Sequence, residues 1–152
     1  MQLSAEGLKL IKIWEGYRQR TFLDVAGFPT IGYGHRLLAS ESFPNGIEEA
    51  QANEILARDV RGAEQTVTRL VKVALTQNQF DALVDFVFNL GQGKLTTSTL
   101  LKELNRGHYD AAREQLLRWD HAGTQENANL KARRSAEYAL WNSAAEQHES
   151  AA

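Results

Sequence analysis

The sequence predicts an α+β protein: one helix, a small antiparallel sheet, then a mainly helical remainder. Three observations predict it. Between residues 20 and 38, β-formers (Thr, Phe, Val, Ile, Tyr) are separated by Gly and Pro. Before that stretch, and again after Ile47, apolar residues return at the three-to-four-residue spacing of amphipathic helices. At 152 residues the chain can bury a real core in a single domain, 1–152, with room for two lobes.

The first helix is expected to start after Ser4, a good N-cap, with Leu3 placed to staple its start. Leu10, Ile13, Trp14 and Tyr17 follow at helical spacing, and Gly16 marks the end, with Glu15 at the C-terminus. Asp24-Val25-Ala26-Gly27 reads as a turn and residues 30–33 as a strand, so the segment is a hairpin or a three-stranded sheet. "SESFPNGI" closes it as a loop. A long helix then runs through Ala52, Ile55, Leu56, Val60, Ala63, Val67 and Val71, with Gly62 as a break point. Thr76 and Gln79 form a capping-box pattern ahead of Phe80, Leu83, Val84 and Val87. "NLGQGKLTTS" reads as a loop. Ser98 caps a helix ending at Gly107, the next helix ends near Gly123, and residues 130–147 form the last one before a frayed tail. Trp119 and Trp141 lie on apolar stripes and are assigned to the core.

Composition removes several classes of function. The net charge of -2 gives no basic footprint for nucleic acid. The chain has no cysteine, so it has no disulfide, thiol nucleophile or cysteine-based zinc site. The four histidines, His35, His108, His121 and His148, show no metal-ligand spacing. No metal or cofactor is expected. The start lacks the apolar core of a signal peptide, and "ALVDFVFNL" is far short of the roughly 20 apolar residues of a membrane span, so a cytoplasmic origin is expected.

The segment "WEGYRQRTFLDVAGFPTIGYGH" concentrates chemistry: Glu15, Asp24 and Thr30 on a sharply turning chain. Glycoside hydrolysis needs a protonated carboxyl to donate to the leaving oxygen and an ionised one to activate water or attack the sugar. A carboxyl at a helix C-terminus among Trp14, Tyr17 and Phe22 suits the first task. One in a hydrated turn suits the second, and a threonine on the next strand can hold the water. The bland alternative is solvated or capping carboxylates at turns.

Residue types and spacing alone leave both readings open; a family resemblance favours the first. Eight residues separate Glu15 from Asp24 and five separate Asp24 from Thr30. With "GFPTIGYGH", this resembles the phage-type lysozymes, the endolysins of glycoside hydrolase family 24. "FVFNLGQGKLTTSTLLKELNRGHYDAA" resembles the family's central helical segment, and "RWDHAG" with "LKARRSAEYALW" its C-terminal part. One departure occurs: Asn129-Leu130 stands where the family has Gly-Leu. Asp24 matches the family's second catalytic position, at which some relatives carry Cys. The resemblance implies a lysozyme-like two-lobed fold. Its N-terminal lobe covers about 14–60, with catalytic segment 15–35, and its helical lobe covers about 61–145 plus the first helix.

The resemblance further implies a muramidase that cleaves the β-1,4 bond between N-acetylmuramic acid and N-acetylglucosamine. Glu15 is the general acid, and Asp24 and Thr30 handle the water, with inversion. A lytic transglycosylase and a non-catalytic wall-binding module are the rival readings. The water-handling pair argues against the first, and the complete catalytic trio against the second. Phe88, Asn89 and Ser98 are candidate substrate contacts, against helix-capping roles for Asn89 and Ser98. Lys131, Arg133 and Arg134 read as a solvated face, or as a wall-binding patch, with one of them able to pair with Glu15 as in relatives. His35 and Asp59 match a family pair that ties the sheet to the first long helix, with the pKa of His35 raised. Peptidoglycan is the implied substrate. A holin-type membrane pore is needed for release from the host cytoplasm, and the protein is expected to be a monomer.

Overall fold

The structure, a computed structural model, describes residues 1–122 and 125–142. In chain order it contains α1 (Ala5–Glu15), β1 (Arg18–Leu23), β2 (Pro29–Gly32), β3 (His35–Arg36), α2 (Glu49–Leu70), α3 (Gln77–Leu90), α4 (Gln92–Thr96), α5 (Thr99–Asn105), α6 (Tyr109–Leu116), β4 (His121–Ala122), β5 (Gln125–Glu126) and α7 (Ala128–Trp141). The α+β expectation holds. The chain divides into two compact units, one spanning Lys9–Gly62 and the other joining Met1–Leu8 to the chain from Ala63 onward.

In the Lys9–Gly62 unit, β1, β2 and β3 form an antiparallel sheet in that order. Phe22 faces Thr30 across β1 and β2, and Ile31 faces His35 across β2 and β3. Strand β2 is buried from Thr30 to Gly32, with Ile31 fully covered, while β1 stays exposed along most of its length, Leu23 included. Ile47, Ala52, Ile55, Leu56 and Val60 add a buried stripe from the loop and the first half of α2. The Tyr17 hydroxyl donates to the Ile47 carbonyl at 2.8 Å, tying β1's start to that stripe.

In the other unit, Ser4 is the cap its sequence position suggests, with its hydroxyl accepting from the Gly7 N–H at 3.1 Å. The same hydroxyl bonds the Asp81 carboxylate of α3, whose other oxygen accepts from the Ser4 N–H at 3.1 Å. Thr76 and Gln79 make the full reciprocal capping box. Helix α3 is buried along Asn78 to Val87 and packs on α7, while α5 packs on α6.

Four expectations are corrected. Gly62 does not break α2, which runs unbroken for 22 residues. An exposed mid-helix glycine costs about 1 kcal/mol relative to Ala, which the packed residues on either side outweigh. "QGKLT" forms the short helix α4 instead of loop, pinned by fully buried Leu95. Helix α6 stops at Leu116, and β4 pairs with β5 in the stretch assigned to its continuation. Trp119 therefore lies beyond the helix, half-buried and edge-on to Phe86 at 5.6 Å between ring centres. Trp141 is core, fully buried. Gly123, His148 and the tail beyond residue 142 lie outside the described residues.

The largest correction concerns the basic cluster. Arg133 and Arg134 are buried, not solvated. Arg133 makes two hydrogen bonds to Asp85, at 3.0 and 2.7 Å. Arg134 donates from Nη2 to Glu137 at 2.7 Å, and its guanidinium lies over Phe86. Helix α7 must bury these charges because its polar stripe faces α3, and Asp85 sits on that side of α3 to receive them. Lys131 alone keeps the expected exposed place, pairing with Glu126 at 3.0 Å.

Candidate active site

Glu15, Asp24 and Thr30 all lie in the Lys9–Gly62 unit. Glu15 is the last residue of α1. Gly16 ends the helix with φ +69°, and its N–H reaches the Lys12 carbonyl at 2.9 Å. The Glu15 carboxylate rests against Gly34, in the tight connection between β2 and β3. Gly34 has φ +72°, which favours glycine, and a Cβ there would push against the Glu15 carboxylate and displace it.

Asp24 opens the β1–β2 turn. Its N–H donates to the Phe28 carbonyl at 3.0 Å, and its carbonyl accepts from Gly27 at 2.9 Å. One carboxylate oxygen, Oδ1, accepts from the Ala26 and Phe28 amides, both at 2.9 Å. The other, Oδ2, lies 3.4 Å from Arg36 Nε. The Phe28 amide bond pulls the Asp24 pKa below its ordinary value; desolvation opposes it, and the Ala26 amide and Arg36 tip the balance downward. Asp24 is therefore ionised at neutral pH. Thr30 sits in mid-β2, 4% exposed, and its hydroxyl donates to the Phe28 carbonyl at 2.9 Å. With its hydrogen so placed, the Thr30 oxygen is left as an acceptor.

The three remaining substrate candidates lie in the other unit. Phe88 and Asn89 are half-buried near the end of α3. Gly91, not Asn89, is the C-cap of that helix. Ser98 is 3% exposed, caps α5 by accepting from Leu101 at 3.0 Å, and donates to Leu95 at 2.7 Å. Its hydroxyl is thereby committed to the helix start.

His35 joins Asp59 as expected, Nδ1 to Oδ2 at 2.7 Å. A second acid was missed: Glu41 meets Nε2 at 2.8 Å and also accepts the Leu38 N–H at 2.7 Å. Its position in the loop "HRLLASE", six residues from His35, was the available signal. Burial works against charge on His35, but the Glu41 and Asp59 hydrogen bonds prevail and raise its pKa. A cavity of about 470 Å³ in this unit is lined by Glu41, Phe43, Glu54, Arg58 and Arg61 among others, and by none of the three catalytic candidates. Among the described residues, no three His, Asp or Glu side chains converge as metal ligands, and no helix is long and apolar enough to cross a membrane.

A helix-terminal glutamate, a small sheet bearing an ionised aspartate in its first turn, and a separate helical unit define a class, the lysozyme-like glycosidases. The Phage lysozyme family matches residues 12–137, and the chain belongs to that family. It is 38% identical to the endolysin of Salmonella phage P22 over 88% of this chain and 94% of that one. It is 39% identical to the endolysin of Acyrthosiphon pisum secondary endosymbiont phage 1, over 95% of this chain and all of that one. A crystal structure of a P22 lysozyme variant superimposes with a TM-score of 0.84 at 36% identity, covering 94% of this chain and 99% of that one. The protein is accordingly a muramidase of the endolysin class, and peptidoglycan is its substrate.

Proposed function

We propose that this muramidase hydrolyses the β-1,4 bond between N-acetylmuramic acid and N-acetylglucosamine with Glu15 as general acid and with Asp24 and Thr30 as the groups that hold the attacking water. Glu15 gives its proton to the glycosidic oxygen as that oxygen leaves the anomeric carbon. One water hydrogen points to Asp24 Oδ2 and the other to Thr30 Oγ1. The water oxygen attacks the opposite face of the sugar, its proton passes to Asp24, and the product has inverted configuration. The observation that supports this most is the arrangement of acceptors in the turn. Backbone amides occupy Asp24 Oδ1 and keep the group ionised, while Thr30 turns its hydrogen away onto Phe28.

Glu15→Gln keeps the shape and loses the proton. Turbidity clearing of purified walls should fall by about 10²–10⁴, the usual weight of general acid catalysis, with the circular dichroism unchanged. Near-normal clearing by the folded variant removes Glu15 from this role. Muropeptide masses separate hydrolysis, which adds one water, from a transglycosylase, which leaves a 1,6-anhydro end.

Phe88 and Asn89 are proposed to touch substrate, and Ser98 to act only by holding α5 in place. For release we propose what the family resemblance implies: a monomer that accumulates in the host cytoplasm and reaches the wall through a holin-type lesion. Lysis timing in cells expressing the chain with and without a holin tests that course. Equal lysis in both refutes it.

A further inference from the structure

The Asp24 turn contains one side chain that the reaction above does not use. Arg36 closes β3, directly across from Thr30. Its guanidinium lies 4.2 Å from the centre of the Phe28 ring, and its Nε lies 3.4 Å from Asp24 Oδ2. The arginine side chain is 60% exposed, and an unsupported ion pair at such a site contributes little, because two flexible side chains must be held in one geometry. Here Phe28 supplies the support. Its ring carries the planar guanidinium, and its N–H donates to Asp24 Oδ1 at 2.9 Å. A single residue thus holds one carboxylate oxygen directly and, through Arg36, faces the other. At 3.4 Å the contact with Oδ2 is an ion pair and not a short hydrogen bond, so a lone pair on Oδ2 stays open. The other arginine of the sheet whose ring partner is described, Arg18, lies over Phe22 instead.

We propose that Arg36, stacked on Phe28, is a positioning residue for the muramidase reaction: it fixes the rotation of the Asp24 carboxylate so that Oδ2 presents its open lone pair to the attacking water. The inference rests on the assignment of Asp24 to the water. Arg36 also favours the ionised form of Asp24, after the Phe28 and Ala26 amides, so it extends the pH range of the base downward.

The test uses the full chain, with wall clearing measured from pH 3 to 9 and the Asp24 carboxyl carbon titrated by NMR in the same variants. Arg36→Gln should lower the plateau rate roughly tenfold, as expected for a displaced catalytic group. It should also move both the Asp24 titration and the acid limb of the rate profile to higher pH. Arg36→Lys retains charge without the planar stack, so it should restore the acid limb but only part of the plateau. An unmoved Asp24 titration in Arg36→Gln overturns the contact. A titration that moves while the acid limb and plateau stay as in wild type overturns the positioning role. Failure of the underlying assignment looks different: Asp24→Asn would then clear walls normally, whatever Arg36 variants do to the titration.

Discussion

The acidic turn of the Lys9–Gly62 unit and the charged cluster joining α3 to α7 use the same residue types in opposite surroundings. Asp24 is part-exposed, held mainly by backbone amides, and its arginine stands mostly in water. Asp85 is fully buried, gripped by Arg133, and faces Arg134 at 4.0 Å. Burial alone would raise the Asp85 pKa, and hydrogen bonds from Glu137 and Arg133 reverse that, leaving it lowered. Burial raises the Glu137 pKa well above its ordinary range, and the neighbouring Asp85 raises it further. Burial and the neighbouring Asp85 thus both favour the protonated form of Glu137. The contrast separates two uses of a carboxylate. The open one can change protonation or accept from a water at little cost to the fold. The buried one has its full set of partners in place and is bound to the stability of the helical unit.

Breaking the buried side should give the largest effect. Arg133→Met leaves Asp85 charged and short of its main partner, costing about 3–5 kcal/mol in denaturant unfolding. If unfolding shifts by less than the error of the extrapolation, the cluster does not carry stability. Next comes Gly34→Ala, on the catalytic side. The added methyl meets the Glu15 carboxylate, and a displacement of this kind costs about a hundredfold in rate. Full clearing by that variant would mean that the Glu15 position against Gly34 is not the working one.

Glu137→Gln sharpens the comparison, because an amide can replace a protonated acid as donor to Asp85 and acceptor from Arg134. Near pH 5 it should lie within about 1 kcal/mol of wild type. Since the folded pKa of Glu137 is raised above 4.5, wild-type folding takes up a proton at higher pH and loses stability as pH rises. The glutamine needs none, so the variant should gain on wild type between pH 5 and 9. A gap that widens the other way refutes the bound proton.

The smallest expected effect is Glu41→Gln, about 1 kcal/mol or less, or a melting shift of about 2–4 °C. Its pH dependence makes it readable. His35 has a raised pKa, so its contribution is complete below 6.5 and disappears as pH rises through the folded value. Glu41 is lowered, by the Leu38 amide first and His35 second, so its contribution is present above 4.5 and lost as pH falls through the folded value. The difference from wild type should peak between pH 4.5 and 6.5 in thermal melts. A flat difference from pH 3 to 9 would rule out the linkage.

What could be read from the sequence follows the range of the interactions. Ser4, Thr76 and Ser98 were legible as caps because a cap is made with residues three positions away. Asp24 was legible as a turn residue for the same reason. Glu15, Asp24 and Thr30 were legible as a trio through a family spacing, and their surroundings were not: neither the collision space at Gly34 nor Arg36 over Phe28 follows from local pattern. The burial of Arg133 depends on Asp85, 48 residues earlier, and a helix stripe alone cannot distinguish a solvated arginine from one facing a buried acid. Helix α4 was missed because Gly91 and Gly93 make the start of the segment read as loop, while the burial of Leu95 settles it in the fold.

The bond between Ser4 and Asp81 has a consequence for the order in which the protein is made. Residues Met1–Leu8 belong with the chain from Ala63 onward, so the sheet-bearing unit is an insertion within the helical one. On the ribosome, everything from Lys9 to Gly62 emerges before the partner that Ser4 requires. The sheet can form around Ile31 while the first turn of α1 still lacks its anchor. Closing that long loop costs entropy that grows only slowly with its length, so the late tie remains favourable once α3 is out. Translation arrested once Gly62 has left the ribosome but before Asp81 has should leave a nascent chain with a formed sheet and an unanchored first turn.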